Sequence, residues 1–111
     1  MNSKHADMTV TVNLFPTEAG GRRGPTPSDK FHCVMVIDEM NFDVRIYLEG
    51  IGSICPGQTV SVPIKFLDWE RARKTCSVGK KVFLREGRRI GDGVIDTITH
   101  NDDDEGKDVC S

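Results

Sequence analysis

Apolar and polar residues change places at every step along much of this chain, the period-two pattern of strands that turn one face to a core. Over residues 8–15, Met8, Val10, Val12 and Leu14 fall on one side, with Thr9, Thr11 and Asn13 on the other. Pro16 ends that run, since it has no N–H for a ladder. Phe42, Val44, Ile46 and Leu48 alternate with Asp43, Arg45, Tyr47 and Glu49, and Val60, Val62, Ile64 and Phe66 repeat the pattern further on. Pro63 belongs to the outward set of that last run, which predicts an edge or a bulge there. Residues 31–37 are almost all apolar, so this strand is expected to be central or buried on both sides. A turn at 38–41 joins it to the strand at 42–48 as a hairpin.

The last hairpin is the easiest stretch to read. Residues 80–86 form a strand candidate, 87–89 a turn, and 90–98 a returning strand loosened by Gly91 and Gly93. Between the fourth and fifth strands, residues 68–74 suit one helical turn, with Asp68 as its cap and positive charge at its C-terminal end. Trp69 either plugs one end of the core or offers an exposed face; the burial habit of large aromatics favours the plug. Six strands, short connections and no helix of three turns give an all-β domain, a sandwich or a barrel.

At 111 residues the chain fits one domain. Residues 1–7 are expected to be a flexible N-terminus, 8–99 the β domain and 100–111 a flexible acidic tail. No run of roughly 18 apolar residues predicts a membrane helix. The first residues lack the apolar segment of a secretory signal, so the expected location is cytoplasmic. The net charge of −2 conceals an asymmetry: the tail sets Lys107 against Asp102, Asp103, Asp104, Glu105 and Asp108, a net of −4, which leaves +2 on the rest. Such a tail is either a solvated terminus or an internal decoy for a basic face.

Positive charge gathers in two places. Gly20-Gly21-Arg22-Arg23 lies in a long Gly- and Pro-rich loop over 17–30, a length that in a small domain points to function or disorder. Arg85, Arg88 and Arg89 surround Glu86 and Gly87 at the tip of the last hairpin. Arginines so placed suit bidentate hydrogen bonding to phosphate, and equally suit a solvated rim.

Other chemistry finds no footing. Cys33, Cys55, Cys76 and Cys110 are widely spaced, with no Cys-x-x-Cys pair and no histidine at ligand spacing, so neither a metal site nor a disulfide framework is expected. Cys33, inside an apolar run, is expected to be a buried small hydrophobe. No phosphate-gripping Gly-x-x-x-x-Gly-Lys loop occurs, Gly91-Asp92-Gly93 follows no strand-to-helix switch, and Asp102–Asp104 lacks the glycine and terminal glutamate of a calcium loop. The expectation is a protein that is not an enzyme, holds no cofactor and binds no nucleotide.

Three landmarks stand in a fixed order: Gly20-Gly21-Arg22 after the first strand, Pro56-Gly57 before the fourth, and Arg85-Glu86-Gly87 with Arg89 before Gly91-x-Gly93-Val94. In this order, over residues 9–98, the chain resembles the third, C-terminal domain of bacterial elongation factor Tu. The resemblance implies a six-stranded antiparallel closed β-barrel that contacts the backbone of tRNA or other structured RNA, with a translation-factor protein as a second kind of partner. It implies RNA contact by Arg22, Glu86 and Gly87, with Arg23 keeping the positive charge of a histidine it replaces; Arg85, Arg88 and Arg89 join them as RNA-contact candidates if the long loop and the last hairpin lie side by side, as they do in that family. Nothing here resembles that factor's GTPase domain, so GTP hydrolysis is not implied. Cys33 and Phe42 replace a glutamine and a threonine of the family's contact set, and Asp68 stands near a lysine of it. A module that binds a protein partner through the same face, without RNA, is the alternative.

Overall fold

The computed structural model describes residues 6–99. Six strands, β1 (Met8–Leu14), β2 (Lys30–Ile37), β3 (Met40–Tyr47), β4 (Thr59–Phe66), β5 (Lys81–Glu86) and β6 (Arg88–Ile98), close into a barrel in the order β1-β4-β3-β2-β5-β6. Every neighbouring pair is antiparallel. Among the described residues the only α-helix is the turn α1 (Trp69–Ala72), and no helix is long and apolar enough to cross a membrane.

The alternation read from the sequence is the alternation of burial. Met8, Val10, Val12 and Leu14 of β1 meet Phe31, Cys33, Met35 and Ile37 of β2 and the inward sets of the other strands in one core. Each such side chain removed from water contributes roughly 1.5–3 kcal/mol before ordering costs are counted. β2 is flanked by β3 and β5, and buries Val36 as well as its inward set, while Lys30 and His32 stay exposed. Pro63 pairs in register with Thr9 on β1, but the β3–β4 ladder covers only Val44–Ile46 against Ile64–Phe66. From Pro63 back, β4 is thus an edge on its β3 side, where a missing N–H leaves no partner unsatisfied.

Antiparallel order gives the barrel two poles. At one lie the turn at residues 38–39, α1, the start of β1 and the end of β6. The α1 pole is closed by apolar packing: Ala72 is fully buried, and Trp69 packs on the core with its ring 5.7 Å from Phe66, which meets Phe42 edge-on at 5.9 Å. Trp69 is therefore the plug, and Asp68 caps the turn by accepting the Arg71 N–H at 3.2 Å. Ala6 and Asp7 belong to this closure rather than to a flexible N-terminus. The Asp7 carboxylate, with no exposure, accepts the Phe66 N–H at 2.7 Å, and the Asp7 carbonyl accepts the Thr99 N–H at 2.7 Å. A buried carboxylate with backbone donors stays where a free one would not. Met1–His5, the acidic run and Cys110 lie outside the described residues.

Two features of β6 depart from the reading of its sequence. The turn of the last hairpin is Gly87 alone, at φ +81°, and Arg88 and Arg89 are strand residues paired with Glu86 and Arg85. A bulge makes this register possible: Leu84 pairs with Gly91 and Arg85 with Arg89, so Ile90 is the extra residue. Gly91 and Gly93 do not loosen the strand. β1 passes so close that a Cβ at Gly93 would sit 2.6 Å from the Thr11 carbonyl oxygen and 2.9 Å from a Val10 methyl.

Candidate functional site

The opposite pole gathers the loop over residues 15–29, the loop over 48–58 and the tip of the β5–β6 hairpin. The two loops clasp each other across the barrel mouth. Thr26, buried, donates its N–H to the Ile54 carbonyl at 3.0 Å and accepts the Ile54 N–H on its hydroxyl at 2.9 Å, which seats Ile54 in the core. Gly21 is pressed onto the end of β1, where a Cβ would lie 2.0 Å from the Phe15 carbonyl oxygen, so no other residue fits this seat. The glycine pair of the sequence thus has a local reason: it lets the chain turn back and places Arg22 above β2.

Arg22 sits at a seam. The β2–β5 ladder runs only from Val34–Val36 against Phe83–Arg85, and toward the arginine pole the two strands part. The Arg22 guanidinium lies over the Phe31 ring on β2 at 5.1 Å and donates from one terminal nitrogen to both oxygens of Glu86, at the end of β5, at 2.6 and 2.7 Å. Its Nε donates to the Gly24 carbonyl at 3.2 Å and its other terminal nitrogen to the Pro25 carbonyl at 3.1 Å. Arg88 faces the same loop, donating to the Gly20 carbonyl at 2.9 Å and the Gly21 carbonyl at 3.1 Å. The loop and the hairpin are therefore side by side, stitched by two arginines.

The seven residues singled out in the sequence meet at this pole but do different things. Arg22 engages every nitrogen of its guanidinium with the protein itself, and Arg88 gives two donors to it. Arg85 turns one donor to the Gly87 carbonyl at 3.3 Å. Arg89 lies 3.9 Å over the Phe83 ring on the outer face of β5, with Lys81 5.7 Å from the same ring. Stacking uses the flat face of a guanidinium and leaves its N–H edge open to an acceptor. Arg23 is exposed and has no partner among the described residues. Two clefts flank the Arg22–Glu86 pair. One, of about 440 Å³, is lined by Pro27, Asp29, Lys30, Phe31 and His32 as well as the pair; the other, of about 400 Å³, adds Arg23, Gly24, Arg88 and Ile90.

Beneath the seam, burial pushes the Cys33 thiol up to about 12, with Glu86 adding to the rise and Arg22 opposing it. At neutral pH it is a protonated, buried thiol, as its place in an apolar run predicts. Phe31 opens the apolar run of β2 and its ring is buried in the core. Its place directly after a loop carrying two arginines is the signal that it also forms a bed for one of them. The Phe31 and Phe83 rings carry cations on their faces, so neither offers an open platform for a base. No family model matches the chain, and no curated protein matches it.

Proposed function

We propose that this chain is a non-catalytic barrel module that contacts structured RNA, tRNA included, along its phosphate backbone. The reading follows from the resemblance to the third domain of elongation factor Tu and assigns no GTPase activity. The observation that supports it is the meeting of Gly20–Arg22 with Arg85–Gly87 at one pole, residues 64 apart in sequence joined at 2.6 Å. Arg23 and Arg89, with the remaining donors of Arg85 and Arg88, are the groups free to reach phosphate oxygens around that junction. Sequence-independent backbone contact fits a surface that presents arginine edges.

Titration of labelled tRNA at 50 and 200 mM salt tests the proposal. Three phosphate contacts weaken binding roughly 40-fold over that range, from a slope of about −0.9 per contact. Arg23→Ala and Arg89→Ala each weaken binding at low salt and flatten the slope by about one contact. No binding at low salt rejects the reading.

A second reading is a protein-interaction module without RNA that docks not through the arginine face, as the resemblance implies, but at the other pole. Met40, Leu67, Val78 and Ile98, four of the six exposed large apolar residues among the described residues, stand at strand ends around α1. This reading requires that the same titration show no shift at any salt.

A further inference from the structure

We infer that Glu86 is a latch on Arg22: its carboxylate holds the place of a phosphate in the free protein and is displaced when an RNA backbone binds. The inference rests on the RNA reading above and departs from one of its expectations: Glu86, which the resemblance counts among the RNA contacts, is the group that the ligand must move. A guanidinium has five N–H donors. On Arg22, Nε donates to Gly24, one terminal nitrogen to Pro25 and the other to both oxygens of Glu86, so every nitrogen of the group is engaged. A phosphate held by a two-pronged fork needs two neighbouring nitrogens, and with Nε committed to the loop only the terminal pair is left, which cannot grip it while Glu86 stays. A phosphate arriving beside a bound carboxylate also meets its negative charge.

The two partners differ in how firmly they are held. Arg22 is fixed by two loop carbonyls and by the Phe31 ring, with its side chain only 19% exposed. Glu86 is 41% exposed, and Arg22 is the only hydrogen-bond partner of its carboxylate among the described residues. It follows the last β2–β5 pair, so its side chain can swing into water without opening that ladder; its backbone stays paired with Arg88 in the hairpin. The latch therefore opens on the Glu86 side and leaves Arg22 in place, edge outward. An ion pair whose acid is this exposed is weak enough for that exchange.

The test is a double-substitution cycle read by tRNA titration across 50–200 mM salt. Glu86→Gln keeps the shape and an acceptor oxygen but removes the charge. In the otherwise unaltered protein it is expected to tighten binding about two- to five-fold, the equivalent of releasing one such pair, and to steepen the salt slope by about 0.9 as Arg22 takes a phosphate. In an Arg22→Ala background the same substitution is expected to change neither. Arg22→Gln, which keeps an amide donor for the loop carbonyls, repeats the cycle should Arg22→Ala unseat the loop. Binding that Glu86→Gln weakens or leaves unchanged overturns the latch and spares the RNA reading. An equal gain with and without Arg22 also overturns it, since general charge then accounts for the effect. Absence of binding by both the parent and Glu86→Gln overturns the latch and the RNA reading together.

Discussion

The two poles of this barrel are closed by different chemistry. At the α1 pole, Phe42, Phe66 and Trp69 pack ring against ring, and the buried Asp7 carboxylate ties the chain's entry to the end of β4. At the arginine pole, exposed or half-exposed guanidiniums hold a loop by its carbonyls. Apolar burial is non-directional and close-packed, so it closes an end permanently. Hydrogen bonds at a wet surface exchange with water at small net gain, so they position a loop while leaving it able to yield. The difference assigns stability to one end and adaptability to the other, and it can be tested by disturbing each in turn.

The largest effect belongs to the α1 pole. Phe66 is 2% exposed and touches both other rings, so Phe66→Ala removes a whole aromatic from a packed site. Loss of about 3–5 kcal/mol of unfolding free energy is expected, read from the denaturant midpoint at unchanged slope. A loss below about 1 kcal/mol, the range of a surface change, would show that this end is not the anchor. Arg88→Ala is the matching cut at the other pole. It removes two hydrogen bonds to the loop at an exposed position, for about 1 kcal/mol of global stability. Its larger consequence is local: amide exchange of Gly21 and Thr26, whose N–H groups bond Pro16 and Ile54, should speed up while the strand amides stay protected. Uniform acceleration over the whole barrel would mean that the two ends unfold as one and that the contrast is only one of composition.

How far each end was legible from the sequence follows the same division. Strands show in a sequence because burial repeats every second residue, and the inward sets of β1, β3 and β4 could be named residue by residue. Asp68 as a cap and Trp69 as a plug are local facts and were equally visible. The bulge at Ile90 was not, because it depends on how two strands count against each other; Arg88 and Arg89 consequently read as turn residues. Gly93 read as a weakness for want of its neighbour β1, which arrives from some eighty residues away in sequence. The nearness of Arg22 to Glu86 was expected from the resemblance alone. That Arg22 would spend its donors on Gly24 and Pro25 had no signal, since carbonyl acceptors carry no mark in the identity of their residues.

The smallest effect, absent at neutral pH, sets the poles side by side through one thiol each. Burial is the main cause that raises Cys33 to about 12, with Glu86 and Arg22 as its charged neighbours, and Cys76 to about 11, with Asp7 and Lys80 as its own. A thiol whose folded pKa lies above its ordinary value of 9.0 keeps its proton longer in the folded state than in the unfolded one. Below 9.0 neither state loses the proton and the folded state keeps this advantage in full. As pH rises above that value the unfolded chain ionises first, so stability falls, through about 11 for Cys76 and about 12 for Cys33. Other groups titrate in the same range, so the measure is the difference in alkaline slope of the denaturant midpoint between the parent and Cys33→Ala, and likewise Cys76→Ala. Each substitution should flatten the slope, Cys33→Ala over the wider span. Because Glu86 adds to the rise at Cys33, Glu86→Gln should bring the loss of its proton to lower pH and leave Cys76 unmoved. A shift of both thiols by that one change would mean that the charge at the seam is felt at both ends, and that the two poles are electrostatically one.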